Sequence, residues 1–213
     1  MLFRSYQTAL TNLGSATNPA FSGFAATSST PATLAATSDN TAVNGSYNIV
    51  VQNLATSSKV ATASFSGGAT SAIPSGNLTI TQNTTATSFT IPANSTLQSV
   101  RDLVNTQTAT SGVSANIVTD STGASRLVFG STTTGAGSDI TTTSSVAGLV
   151  IPANTALNSA TPGSAGYIGS QALDANLTID GLAVKSSSNT VSKAIKIGRA
   201  SCREKCRSRW SPY

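Results

Sequence analysis

The sequence predicts a mostly β fold of the α+β class, with one clear internal amphipathic helix and a short helical stretch near the N-terminus. Three observations carry this reading. Apolar residues alternate with polar ones at the period of a half-buried strand, as at Tyr47, Ile49 and Val51, and again at Val113, Ala115, Ile117 and Thr119. One internal stretch, Leu97, Val100, Leu103 and Val104, instead repeats at helical spacing. The segments between are loops of Gly, Ser and Thr, and charged residues make up 9% of the protein, against about 25% in ordinary domains.

Taken in order, residues 5–13 place Tyr6, Ala9, Leu10 and Leu13 on one helical face. The stretch is too short to hold a helix alone and is expected to end a longer one. A Ser/Thr/Ala/Pro linker follows, anchored by Phe21 and Phe24. Strands are predicted over 47–52, over 60–65 by alternation, and over 77–81 and 88–91. Ser95, Thr96, Leu97 and Gln98 spell a capping box, so the helix is expected to start there and stop near 105–108. The strand over 113–119, a turn at Asp120–Gly123 and a strand over 126–129 make a hairpin. Two more strands are predicted at 176–179 and 182–185, with Asp180 and Gly181 between them serving backbone geometry. Ile-Pro-Ala-Asn occurs twice, at 91–94 and 151–154, with Leu97 and Ser99 matched by Leu157 and Ser159. Two copies are compatible with related turn-to-helix entries and equally with chance, and define no solenoid period.

Residues 197–213 stand apart. They hold both cysteines, Cys202 and Cys206, together with Trp210, Glu204 and five of the twelve basic side chains. Ile197 to Glu204 resembles the translation of a common sequencing-library adapter residue by residue, and with one base lost the match continues through Tyr213. The reading is that this tail is non-native and that the natural sequence extends past Lys196. A genuine basic tail, with nucleic acid or an anionic membrane as its partner, is the competing reading. Without the tail, seven basic residues face six aspartates, a net of +1 in place of +5.

The composition excludes several chemistries. With no His in the sequence, Ser-His-Asp and Cys-His mechanisms are absent. The six aspartates outside the tail are scattered, with no paired-carboxylate spacing. No thiolate metal site or cofactor motif remains, and Gly135-Ala136-Gly137 lacks the rest of a phosphate-loop pattern. Asn-x-Ser/Thr triplets at Asn77, Asn83, Asn94 and Asn176 follow from composition and imply no glycosylation. Basic residues are too dispersed for a nucleic-acid face. No apolar run approaches the roughly 20 residues of a membrane span, and no secretory leader is visible after Met1. What is left is a secreted structural, adhesive or assembly role rather than an enzyme.

Four ordered motifs add a family. Ala42, Gly45, Tyr47, Val51, Leu54 and Ala55 resemble the A-x-x-G-x-Y-x-x-x-V-x-x-L-A segment of the flagellar filament cap (hook-associated protein 2) family, and residues 59–65 fit as well. The helix with Leu97, Arg101, Asp102, Val104 and Asn105 resembles the family's tL…lrdaIN helix, followed by a matching 112–118. Gly135 falls where the family has S-x-x-T-G. Asp174, Ala175, Ile179, Asp180 and Gly181, then Ser187, Asn189, Val191, Ala194 and Ile195, resemble the DA…IDG…S-x-N-x-V…AI stretch.

The resemblance implies a helical stalk built from both ends of the polypeptide, with β-rich outer domains inserted between them. The partition expected is 1–35 stalk end and linker, 36–75 inner β-domain, 76–150 outer β-domain, 151–196 return segment, and 197–213 tail. Met1 is then expected to be internal to a longer protein, and the outgoing coiled-coil stalk to lie beyond residue 196. The implied partners are further copies in a ring-like homo-oligomer, flagellin or hook–filament junction proteins, and host mucin in some members, with no cofactor, metal, nucleic acid or membrane. The implied location is the flagellum tip, reached through the flagellar type III channel. The alternative is another secreted surface protein, an adhesin or a flagellin-like variable β-domain, which further β repeats or a wall anchor downstream would mark. A polysaccharide-acting enzyme would need positioned acids and aromatic platforms that the sequence lacks.

Overall fold

The computed structural model describes residues 25–39, 42–192, 194–195, 199–202 and 207–212. The expected helix over 5–13, and Phe21 and Phe24, lie outside the described residues. The protein divides into two units: Met1–Leu54 with Ala175–Tyr213, and Ala55–Asp174. These boundaries fall elsewhere than the breaks placed at 75/76 and 150/151, because the second unit is an insertion closed by long-range pairing.

In the first unit, β3 (Tyr47–Asn53) alternates as expected, with Ile49 and Val51 buried and Asn48 and Gln52 exposed. It pairs antiparallel with β11 (Ala175–Ile179), setting Val51 opposite Leu177 and Ile49 opposite Ile179. That register puts four branched side chains on one face, where Leu34 and Val191 join them in one core. Strand β11 turns into β12 (Leu182–Ser186) through Asp180 and Gly181, both at positive φ. That is the two-residue hairpin turn whose twist matches the flanking strands. The remaining strands are β1 (Ala26–Ser28), β2 (Leu34–Thr37), β13 (Thr190–Ser192), β14 (Arg199–Cys202) and β15 (Arg207–Pro212). They complete two sheets, ordered β1-β15-β3-β11-β12 and β13-β14-β2. Strands β14 and β15 belong to the compositionally distinct tail, and their pairing is a backbone property.

The second unit holds β4 (Ser57–Ala61), β5 (Gly76–Gln82), β6 (Thr85–Ile91), α1 (Leu97–Thr106), α2 (Thr108–Ser111), β7 (Val113–Thr119), β8 (Ser125–Thr134), β9 (Ile140–Ser144) and β10 (Gly166–Tyr167). Its two sheets are ordered β10-β4-β8-β7 and β6-β5-β9. Both contribute to one core: Val60, Val113, Leu127 and Phe129 from the first, Leu78, Ile80, Phe89, Ile91 and Ile140 from the second, and Leu97, Val100 and Val104 from α1. The β7–β8 hairpin forms as predicted and runs five residues further, to Thr134.

Two expectations are corrected and one strand is added. The capping box sits one residue later than expected. Thr96 is the N-cap, its hydroxyl accepting from the Ser99 amide, while Ser99 Oγ accepts from the Thr96 amide. Ser fills the role expected of Gln98, because the helical face is set by Leu97 as first residue. The alternation expected over 60–65 is absent. Val60, Ala61, Thr62 and Ala63 are all buried, and Thr62 bonds Leu127 through both backbone and hydroxyl. The outer face here is covered by a strap, residues 155–164. Strand β9 went unpredicted because its centre, Thr141–Thr143, looks like loop; Thr142 is buried and its hydroxyl accepts from the Ile151 amide.

The two Ile-Pro-Ala-Asn copies adopt one turn. Asn94 and Asn154 both have left-handed φ, 61° and 55°, and both isoleucines are 1% exposed. Only the first opens a helix. Where it has Thr96 as N-cap the second has Ala156, which offers no cap, and Pro162 lies within the next turn. The second copy runs instead into the strap, which crosses β10 through Tyr167 N–H to Thr155 O (2.8 Å) and Leu157 N–H to Tyr167 O (2.9 Å). A Cβ on Gly166 would collide with the Thr155 carbonyl oxygen and with Ala156 backbone. Gly166→Ala should therefore destabilise the protein by about 1–3 kcal/mol, read as a lowered thermal midpoint.

Candidate functional site

The motif residues divide between the units, and each is held by packing or by backbone bonding. Gly45 lies beneath Tyr47: a Cβ at Gly45 would stand 3.0 Å from the tyrosine hydroxyl and 3.1 Å from the ring. Glycine is what lets the ring fold over the incoming backbone, with its other side against the first unit's core. Val51 is buried in that core, Leu54 packs at its margin, and Ala55 is buried. Ala175 opens β11 at 1% exposure. Asp180 grips Asn48 twice, its amide donating to Asn48 O (2.8 Å) and its Oδ1 accepting from the Asn48 amide (2.7 Å). Gly181 completes that turn, and Asn189 is half-buried between β12 and β13.

In the second unit Leu97 is fully buried. Arg101 and Asp102 form a surface ion pair, Nη2 to Oδ1 2.7 Å; such pairs contribute about 0–1 kcal/mol. Asn105 reaches from α1 to the outer edge of β7, accepting from the Ala115 amide (2.8 Å) and donating to its carbonyl (2.9 Å). Its carboxamide thus acts as one residue of a further strand. Asp174 Oδ1 accepts from the Ala136 amide at 2.6 Å and closes the loop in which Gly135 and Gly137 take positive φ. Asp139 does the converse, accepting from the Ala172 amide at 2.9 Å.

Sequence reasoning missed Arg126. Its guanidinium donates to three carbonyls, Thr62 O (2.8 Å), Ser164 O (2.6 Å) and Thr161 O (3.0 Å), and so pins the strap. Nothing local in Arg-Leu-Val-Phe marks it, since all three acceptors are backbone atoms distant in sequence. The strap leaves a groove of about 220 Å³ floored by Ala61, Val118, Val128, Leu157 and Ile168. Val118 and Ile168 are 55% and 40% exposed. Among the described residues, no group of three His, Cys, Asp or Glu is placed to hold a metal, and no helix is long and apolar enough to cross a membrane.

Asp120 is fully exposed. Its carboxylate accepts from the Thr122 hydroxyl (2.6 Å), the Thr122 amide (2.8 Å) and the Ala124 amide (3.1 Å). The Thr122 hydroxyl first, then the Thr122 amide, and after them the Ala124 amide and the Arg126 charge, hold its carboxyl below the ordinary aspartate range against an opposing desolvation. A depressed carboxyl contributes stability that is present above the unfolded value and is lost as pH falls through the folded one. Side-chain NMR should find Asp120 titrating below a free aspartate, and Thr122→Ala should raise it. Asn105→Ala should cost about 1 kcal/mol in urea unfolding and speed hydrogen exchange at the Ala115 amide.

Known proteins bear on this arrangement. The family model described as flagellar hook-associated protein 2 N-terminus matches residues 2–58, and that of the flagellin hook IN motif matches residues 77–133. The protein is 38% identical over 202 residues to the B-type flagellar hook-associated protein 2 of Pseudomonas aeruginosa, across 90% of its own length and 42% of that relative. It thus spans about two-fifths of that curated relative's length. Among solved structures, FliD (HAP2) from Pseudomonas aeruginosa aligns with a TM-score of 0.77 and 32% identity, over 84% of the present sequence and 83% of that structure. The D2-D3 domains of the flagellar cap protein FliD from Escherichia coli align at 0.76 and 28% identity, over 91% of the present sequence and 99% of that structure. By sequence and by fold, the protein belongs to the flagellar hook-associated protein 2 (FliD) family.

Proposed function

We propose that this polypeptide is the β-rich portion of a flagellar filament cap, a structural protein that sits at the filament tip and promotes flagellin polymerisation there. The observation that carries the reading is the alignment over 83% of the Pseudomonas aeruginosa FliD structure at 32% identity. The chemistry of the residues agrees with it. The motif residues serve turns, packing and strand edges rather than a reaction centre, so the work is done by surfaces. Its partners would be further copies of itself in a ring and flagellin or hook–filament junction proteins, with host mucus as a contact in some settings. It would act outside the cell after passage through the flagellar type III channel. The motif positions Gly45, Tyr47, Asn105, Asp174 and Asp180 would serve to keep the two units rigid enough to present those surfaces.

The test is a chimera. Residues 25–196 replace the aligned segment of the Pseudomonas aeruginosa protein in a strain lacking its own cap. Swimming should return, and antibody to the inserted segment should mark filament tips by electron microscopy. Stable chimera with flagellin shed into the medium, and no filaments, would overturn the reading.

A further inference from the structure

We infer that Asn44 is a site of spontaneous backbone modification, converting to aspartate and isoaspartate through a cyclic imide. Of the asparagines in the sequence, Asn44 alone is followed by glycine. It is exposed, in irregular backbone between Ala42 and β3. Among the described residues, no hydrogen bond holds its carboxamide or the Gly45 amide. Both groups are therefore free to meet. The Gly45 nitrogen attacks Asn44 Cγ, a new N–Cγ bond forms, the Cγ–Nδ2 bond breaks, and ammonia leaves with the amide proton. Water then opens the ring at either carbonyl carbon. Glycine has no side chain to shield its nitrogen and resists the required rotation least.

The other loop asparagines are built differently. Asn83, Asn94 and Asn154 are fixed at left-handed φ and precede Thr or Ser, so a hydroxylated residue crowds each attacking nitrogen. They serve as clocks within the same molecule. The position also gives the reaction a consequence. Isoaspartate lengthens the backbone by one methylene immediately before Gly45, the residue over which the Tyr47 ring is closely folded. Either product adds a negative charge to a protein with few charges of any kind.

The experiment incubates the intact protein at mildly alkaline pH and follows each asparagine by peptide mapping, with isoaspartyl methyltransferase labelling. Asn44 should convert at least about tenfold faster than Asn94 and Asn154, a barrier difference of about 1.4 kcal/mol. Asn44→Gln should abolish the fast label with an unchanged thermal midpoint. Conversion no faster than at Asn94 and Asn154 overturns the inference. So does conversion that is fast only in urea, since the folded loop would then forbid the attack.

Discussion

The ladder between β3 and β11 is the constraint on which the rest of the structure depends. Asn48 and Asp180 meet across 132 residues of sequence, and closing so long a loop has an entropic cost before any contact rewards it. The insertion reduces that cost by closing upon itself. The Thr56 amide donates to Leu173 O (2.9 Å), and the Leu173 amide donates to the Thr56 hydroxyl (3.1 Å). Once the second unit has folded, the residues just outside it are already neighbours, and the long loop behaves as a short one. The core of Ile49, Val51, Leu177 and Ile179 can then form from strands delivered together.

A second theme follows from composition. Many backbone groups outside the sheet ladders are satisfied by short hydroxyl and carboxylate side chains, with Arg126 as the long exception. Thr62 and Thr142 do this in the core, Asp174 and Asp139 at the root of the insertion, and Asp180 at a hairpin. Each bond is directional and most join segments far apart in sequence, so the fold is specified by many small geometric choices.

How much of this was legible in the sequence depends on how local the cause was. Helix α1, strand β3 and the β7–β8 hairpin were readable because periodicity and turn residues act within a few positions. The cap moved by one residue because Thr96 and Ser95 are chemically equivalent as caps, and only packing of Leu97 chooses between them. Residues 60–63 and β9 were misjudged or missed because their burial comes from a strap and a partner strand far along the sequence. Asn105 and Asp174 could be named as family positions, yet their tasks became visible only with Ala115 and Ala136 beside them. The twin Ile-Pro-Ala-Asn turns were recognisable as sequence, and Thr96 against Ala156 explains why they part company.

The outer edge of β7 has a meaning for any protein that meets its own copies at high density. Ser111 Oγ accepts from the Val113 amide (3.3 Å), Asn105 from Ala115 and Asn116 Oδ1 from the Ile117 amide (2.8 Å). Those three outward amides are already bonded, so an approaching strand would have to displace a side chain at each of them. Open strand edges are where β proteins fuse into fibres. Where an edge is blunted in this way, a neighbouring copy meets side chains before it meets backbone.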